Sequence, residues 1–456
     1  MQKKCVMNQT SRDGFSSRFG IFAAVIGSAI GLGNIWRFPY MVGENGGAAF
    51  LIVYCAFVLI IGIPAMLSEF IIGRRGQGNS YRSFKQLAPQ KPWYWIGLVG
   101  IFAAFIILTF YSVITGWTLE YVAIALKDVF SSSTVVQDPA QVFEHFHTQA
   151  LKPLIWQIVT MLISAIVIML GVRKGIESSA KILMPLLFIC LAILAVKTLT
   201  LPGSVEGLRF LFSPDFSKIN SGVILKALGQ AVFSLSVGMG CLITYGSYIR
   251  KDVNMSRTAF SVAIADLLIA VLAGIVIFPA LFSFGMAPEQ GPGLVFVVFP
   301  GIFQQMIGGV YFALLFFMLV AIAGITSIIS LLEVIVVYFV EEFKLKRVFA
   351  TLVAATLACG LGAFSTLSFG PLKHVKIFNQ SIFDNSDFLA SNILLPLGAF
   401  FVVVFLGWFY DINQIKDELG NQGTLKMRLF PVFMFIIRYV APIAILLVFL
   451  KGLNIF

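Results

Sequence analysis

Gly27-Ser28-Ala29-Ile30-Gly31-Leu32-Gly33-Asn34-Ile35-Trp36-Arg37 is the stretch on which the fold turns. It sits inside an apolar run long enough to cross a bilayer, yet it carries three glycines, an amide and a guanidinium where an anchor would carry aliphatic residues. Read alone, Gly27-x-x-x-Gly31 is a small-residue seam for close helix packing. Read with Asn34 and Arg37, it is a helix that breaks at mid-depth, and such a break is tolerated in lipid only where protein or a water-filled cavity satisfies the freed backbone. A dinucleotide-binding reading of the glycines fails, because no strand precedes them and no acidic residue follows about 20 positions on.

The rest of the chain supports a membrane setting. Its 456 residues are 59% hydrophobic and 12% charged, with 46 Phe and 40 Gly, and the mean hydropathy is +0.94. One soluble core cannot hide that much apolar surface, so the lipid bilayer is the main solvent. A helix crosses the hydrocarbon in about 20 residues. Eleven spans are therefore expected, near 19–41, 48–72, 94–126, 154–171, 176–198, 222–249, 257–284, 303–340, 348–368, 388–411 and 430–451. No short apolar segment with a small-residue cleavage site follows the tail, so the first span is expected to be retained.

The net charge of +11 comes from basic residues scattered between apolar runs, which argues against a nucleic acid partner. Most of them, including Arg74, Arg75, Arg173, Lys174, Arg250, Lys251, Lys344, Lys346 and Arg347, fall in the tail and loops of one side. The positive-inside rule then places the amino terminus in the cytoplasm, and an odd number of spans places the carboxyl terminus outside. The expected location is the inner, cytoplasmic membrane. The five cysteines show no CxxC or paired loop spacing, so neither a disulfide framework nor a metal cluster is expected. An enzyme is not expected either: the three histidines, His145, His147 and His374, all fall in predicted outer loops, without a nucleophile beside them.

Span six repeats the interruption of span one, with Ser234-Leu235-Ser236-Val237-Gly238-Met239-Gly240 halfway across. Broken helices five spans apart predict two five-helix repeats with a substrate site between their broken first helices. The expected architecture is thus all-α, with a tail at 1–18, a first repeat at 19–198, a loop at 199–221, a second repeat at 222–411, and a loop and eleventh span at 412–456. At such breaks bare carbonyls ligate a cation, while half-helix amino ends present N–H groups to a carboxylate. Hard oxygen ligands for sodium are supplied by Asn34, Ser234, Asp266, Thr326 and Ser327, although Thr326 and Ser327 could equally bond back to their own helix. Of the intramembrane ionisable groups, Glu69, Glu120, Glu333 and Arg438 are read as structural pairs, whereas Arg37 and Asp266 are read as functional.

The run Gly31-Leu32-Gly33-Asn34-Ile35-Trp36-Arg37-Phe38-Pro39-Tyr40 followed by Glu44-Asn45-Gly46-Gly47 resembles the signature of the neurotransmitter:sodium symporter family. The likeness continues through Trp117, Thr244-Tyr245-x-Ser247-Tyr248, Arg250-Lys251-Asp252, Gly291-Pro292-Gly293 and Thr326-Ser327, and eleven spans resemble its bacterial branch. The resemblance implies the fold of the family's bacterial leucine transporter and two bound sodium ions, with no organic cofactor. Its first sodium site would use the Ala29 carbonyl, the Asn34 amide, the Ser234 carbonyl and hydroxyl, Asp266 and the substrate carboxylate. The second would use the carbonyls of Gly27, Ile30 and Ala323 and the hydroxyls of Thr326 and Ser327.

The same resemblance implies an amino acid substrate. Its carboxylate would meet the N–H groups of Leu32 and Gly33 and the hydroxyl of Tyr111, and its amine the carbonyls of Ala29, Phe233 and Ser234 and the hydroxyl of Ser236. Monoamine carriers of the family place Asp where this chain has Gly31, so Gly31 implies a substrate that brings its own carboxylate. The side-chain pocket would be lined by Ile107, Tyr111, Phe233, Met239, Ile328 and Leu331, and the adaptable Met239 admits bulky or aromatic groups. Asp266 stands where Asn is common, and Ala270 one turn on where chloride-independent relatives carry Glu. A fixed carboxylate at 266 implies chloride independence.

Arg37 and Asp387 match an outer gate pair, and Arg12 and Glu341 an inner latch supported by Tyr248, with Phe15 where a Trp often anchors the tail. Gly175 and Pro185 match a pattern whose unwinding admits water to the second sodium site. The expected function is sodium-coupled import of hydrophobic, including aromatic, L-amino acids by alternating access. The alternative within the class is a carrier of a β- or γ-amino acid, and an ion channel is the reading from a different class. Oligomeric state is not legible.

Overall fold

The computed structural model describes residues 14–131, 138–286, 293–421, 423–424, 428–453 and 455. Among these the chain is helical throughout, with one isolated bridge between Ile377 and Gln380 and no strand. The helices are α1 (Arg18–Ala29), α2 (Gly33–Glu44), α3 (Ala48–Gly76), α4 (Ser80–Leu87), α5 (Tyr94–Phe130), α6 (Pro139–His147), α7 (Leu151–Met169), α8 (Val172–Leu199) and α9 (Ser204–Phe212). There follow α10 (Ser221–Ser234), α11 (Cys241–Gly246), α12 (Met255–Ser283), α13 (Leu294–Gln305), α14 (Gly309–Glu342), α15 (Arg347–Leu367), α16 (Ile382–Phe409), α17 (Ile412–Leu419) and α18 (Phe430–Gly452). Helices dominate because each one satisfies its own backbone polar groups, which a bilayer does not.

Nine of these helices are long and apolar enough to cross a membrane, and α1 with α2, bent by 52° at their break, make a tenth. The span expected near 222–249 does not qualify by length, because α10 and α11 are separated by the unwound Leu235–Gly240 segment. The break that shortens it is the one that the glycines at 238 and 240 foretell: both adopt positive φ, +93° and +72°. A Cβ at Gly238 would also overlap the Leu395 carbonyl of α16. Ser236, with φ +56°, takes the same left-handed turn at a side-chain cost that glycine avoids.

Helix starts carry the expected caps. Ser17 Oγ accepts from Gly20 N at 3.0 Å, Asn79 Oδ1 from Arg82 N at 2.9 Å, Asn220 Oδ1 from Val223 N at 3.0 Å and Asn254 Oδ1 from Arg257 N at 2.9 Å. α5 and α14 form the centre: 67% of the most apolar stretch of each is buried in protein, against 33% in α18. Their backbones approach closely where Gly324 faces Thr115, since a Cβ at 324 would stand 2.5 Å from the threonine hydroxyl.

The ionisable groups read as structural do find partners. Glu120 accepts from Trp156 Nε1 at 2.5 Å and pairs with Lys152. Glu333 accepts from Tyr248 Oη at 2.7 Å and pairs with Arg347 at 2.5 Å. Arg438 donates to the Gly407 carbonyl at 2.6 Å. Glu69 is different, because its partner is the Gly238 N–H inside the unwound segment, at 2.6 Å. Its carboxylate fills the place of a helix carbonyl and so holds the break open.

Candidate functional site

Both breaks meet at one point. α1 ends when Ile30 turns extended (φ −81°, ψ 105°), and the Asn34 N–H then bonds the Gly31 carbonyl at 3.2 Å. The Ile30 carbonyl, which a continuous helix would give to Asn34, loses that donor. Opposite, Ser236 Oγ donates to the Ser28 carbonyl at 2.8 Å and ties the two unwound segments together.

Asp266, fully buried on α12, is the hub of a polar cluster. Asn34 Nδ2 donates to its Oδ1 at 2.8 Å, Ser234 Oγ lies 2.9 and 2.8 Å from its two oxygens, and Tyr54 Oη lies 3.1 Å from Oδ2. Tyr54 Oη and Asn34 Nδ2 also approach Ser234 Oγ, each at 3.2 Å. Asn34, Ser234, Asp266 and Tyr54 are all buried. No Lys or Arg forms an ion pair with Asp266 among the described residues, and the buried Asn34 Oδ1 has no hydrogen-bond donor. A buried carboxylate beside an orphaned amide oxygen is costly unless a cation completes it. The donor set is all oxygen, which fits a hard monovalent ion.

A second group of oxygens lies where α1 crosses α14. A Cβ on Gly27 would stand 3.4 Å from Thr326 Cβ. Thr326 Oγ1 donates backward to the carbonyls of Ile322 and Ala323, at 3.0 and 3.1 Å, so its lone pairs stay free to accept. Ser327 Oγ is buried and, like Tyr111 Oη, lies beside Gly31. Gly27 therefore lies against Thr326, and a Cβ at Gly31 would stand 2.6 Å from Ser327 Oγ.

Between the two groups lies a small cavity bounded by Ala29, Gly31, Asn34, Tyr111, Phe233 and Met239 among others. Ile107, Ser234, Ser236, Ser327 and Leu331 also face it, whereas Ile328 is fully buried elsewhere in the α14 packing. The Leu32 N–H donates to Tyr111 Oη at 2.6 Å, so an N–H at the head of α2 and a phenol point at one spot. Gly31 is required there, since any Cβ would overlap Tyr111 Oη and stand 2.6 Å from Ser327 Oγ.

The residues expected to gate the site lie to either side of it. Arg37 does not pair with Asp387: its guanidinium lies 4.6 Å from the Phe233 ring centroid, and Asp387 accepts from Ser391 Oγ at 2.8 Å. Beyond Phe233 a second, larger cavity is lined by Arg37, Gln230, Leu395 and Lys226 among others. On the opposite face Glu341 accepts from Asn79 N at 2.8 Å, and Tyr248 donates to Glu333. Arg12 lies outside the described residues. Phe15 is buried, edge-on to Tyr245 and Tyr248, and plugs that side.

Tyr54 and Glu69 were not assigned site roles from sequence. A lone phenol in Leu51-Ile52-Val53-Tyr54 and a carboxylate in Leu67-Ser68-Glu69-Phe70 signal buried partners, but which partners only the packing reveals.

A polar site formed where two broken helices meet, with Phe15 packed over one side, is the arrangement of a secondary carrier. The profile of the sodium:neurotransmitter symporter family matches residues 12–148 and 144–456. The chain belongs to that family and is a sodium-dependent symporter. It is 36% identical over 441 residues to an uncharacterized sodium-dependent transporter, YhdH, of Bacillus subtilis, covering 97% of this chain and 98% of that one. It is likewise 36% identical over 456 residues to an uncharacterized sodium-dependent transporter of Haemophilus influenzae, covering 98% and 99%. Its fold matches the crystal structure of MhsT in complex with L-phenylalanine, with TM-score 0.90 and 46% identity over 97% of this chain and 100% of that one.

Proposed function

We propose that this chain imports hydrophobic and aromatic L-α-amino acids, drawn by two sodium ions and without chloride. The observation that carries the reading is the cradle at Gly31: an unbranched backbone, the Leu32 N–H and Tyr111 Oη converge where a carboxylate would sit. The cavity beyond is walled by Ile107, Phe233, Met239 and Leu331, which favours an apolar side chain. MhsT, of the same fold, is described in complex with L-phenylalanine, which supports an aromatic cargo.

The first ion would be held by Ala29, Asn34, Ser234 and Asp266 with the substrate carboxylate, and the second by Gly27, Ile30, Ala323, Thr326 and Ser327. The amino terminus would be cytoplasmic and the carboxyl terminus outside, with α10 and α11 forming the span that brings the count to eleven. Residues 19–198 and 222–411 would be the two inverted repeats that rock against each other. Arg37 and Asp387 would bridge when the outer path closes, and Arg12 would join Glu341 on the inner side. Sodium's gradient would drive the cycle, at about 2.3 kcal/mol per charge per 100 mV.

The reading is tested in proteoliposomes with an imposed sodium gradient. Unlabelled phenylalanine, leucine and tryptophan should compete with a radiolabelled hydrophobic amino acid, while β-alanine and γ-aminobutyrate should not. Stronger competition by the latter pair would favour the β- or γ-amino acid alternative. Replacing chloride by gluconate on both sides should leave the uptake rate within about twofold, because the Asp266 carboxylate already supplies the negative charge that balances the first ion. A steep fall in gluconate would overturn chloride independence.

A further inference from the structure

We infer that α17 travels with α3 and α11 as one body, hinged to α16 at Tyr410 and Asp411, and that Arg74 is the positioning residue that keeps it there. The inference rests on the alternating-access reading above.

Arg74 stands in the last turn of α3, with its side chain 2% exposed. A guanidinium carries its N–H groups in a rigid fork, and burying one is tolerated only where those groups are met. Nε pairs with the Glu418 carboxylate. Nη1 donates to the carbonyls of Val253 and Arg250 at 2.7 and 3.4 Å, and Nη2 to the Glu418 carbonyl at 2.8 Å and to Asn421 Oδ1 at 3.2 Å. One side chain therefore binds both the segment that follows α11 and the carboxyl end of α17. A last-turn carbonyl has no partner within its own helix, and a cation there also meets the negative pole of the helix, so Arg74 caps α17. Arg75 adds a second strap, with Nη2 donating to Gln414 Oε1 at 2.6 Å and Nη1 facing Asp417 and Glu418, each at 3.4 Å.

α3 and α11 are themselves joined backbone to backbone. A Cβ at Gly73 would stand 2.0 Å from the Ile243 carbonyl oxygen, and one at Gly246 would stand 3.0 Å from Phe70 Cα. α11 is the half-helix that leaves the break beside the site, so a shift of α11 carries α3, the segment 250–253 and α17 with it. The end of α16 is bound elsewhere: Arg438 of α18 donates to the Gly407 carbonyl at 2.6 Å, and Trp408 Nε1 donates to the Arg438 carbonyl at 2.9 Å. Between the two lies an extended link. The backbone bonds of α16 end with Tyr410 N on the Phe405 carbonyl at 2.9 Å, Tyr410 and Asp411 are extended with ψ 148° and 121°, and those of α17 begin with Ile415 N on the Asp411 carbonyl at 3.1 Å. Bending there strains the contacts of one phenol, Tyr410 Oη with Gln414 Oε1 at 2.7 Å and with Arg75 Nε at 3.3 Å. Parting α17 from α3 would instead break the whole Arg74 set and strand a buried charge, so the link yields first.

The test uses the full chain in proteoliposomes, with its native cysteines replaced. Val253→Cys with Asn421→Cys puts thiols on the two segments that share Arg74, and Tyr410→Cys with Gln414→Cys puts them across the link. Each pair is closed with a short bis-maleimide, and sodium-driven uptake of radiolabelled phenylalanine is compared before and after closure. Closing the first pair should leave the rate within about twofold, whereas closing the second should lower it about tenfold while equilibrium binding in detergent is kept. Arg74→Lys, which offers one ammonium in place of a fork, should lower the maximal rate about tenfold at an unchanged dissociation constant, the size expected from one or two lost hydrogen bonds to a charged group. Where Arg74→Lys yields no folded protein, the two tethers, which keep Arg74, decide. Arrest by the first tether, or indifference to both, would overturn the inference, as would an Arg74→Lys that weakens binding as much as it slows uptake. A parent chain that binds phenylalanine in sodium but shows no sodium-driven uptake would overturn the alternating-access reading, and the inference with it.

Discussion

Asp266→Ala should abolish sodium-dependent substrate binding while the protein remains monodisperse in detergent. The carboxylate is fully buried and holds Asn34, Ser234 and Tyr54 in one cluster. Its attraction for a monovalent cation about 4 Å away is worth about 4 kcal/mol at an effective dielectric near 20. Losing it should weaken ion binding by about a thousandfold, since each 1.4 kcal/mol is about tenfold. Asp266→Asn keeps the volume and the Ser234 contact but not the charge, so its uptake should return only when chloride is present. Scintillation-proximity binding with labelled substrate reads the first variant, and proteoliposome uptake with and without chloride reads the second. Sodium-dependent binding that survives in Asp266→Ala would dismantle the first-site assignment.

Gly31→Ala should be nearly as severe, for a steric reason. The added methyl overlaps Tyr111 Oη and Ser327 Oγ, so the tyrosine must leave the Leu32 N–H. Overpacking of about 1 to 3 kcal/mol and a lost hydrogen bond of about 1 kcal/mol together predict roughly a hundredfold loss of substrate affinity. Gly33→Ala is the control. Its Cβ would stand 3.1 Å from the Phe233 ring edge, which can swing aside, so a much smaller loss is expected. Equal affinities of Gly31→Ala and parent would remove the cradle from the site.

Much of this arrangement was legible before any coordinates. Glycines at 27, 31, 33, 238 and 240 mark the two breaks, because no lipid-facing helix gains from them. Apolar run length placed the spans but misjudged their ends. α16 begins at Ile382, ahead of the apolar run expected from 388, because Ser381 caps a polar first turn through Asp384 and Asp387. Hydropathy sees the slab of lipid and not the helix that projects beyond it. Glu69 was read as an ordinary structural pair, yet it holds the Gly238 N–H. Tyr54 passed unnoticed in an aliphatic run. Both depend on partners 169 and 212 residues away, a separation at which neither composition nor periodicity carries information. The Arg37 gate shows another limit. The resemblance implies Asp387 as its partner, whereas the guanidinium lies over Phe233.

Phe233 borders both the site cavity and the larger one beyond it, so its ring stands between them. Aromatic rings and the guanidinium stacked on them reorient far faster than helices rock, which takes microseconds to milliseconds or longer. A bound molecule can therefore escape and rebind many times before each crossing. The half-saturation constant for uptake then approaches the equilibrium dissociation constant, and discrimination between cargoes is exercised thermodynamically, before the membrane is committed to moving either one.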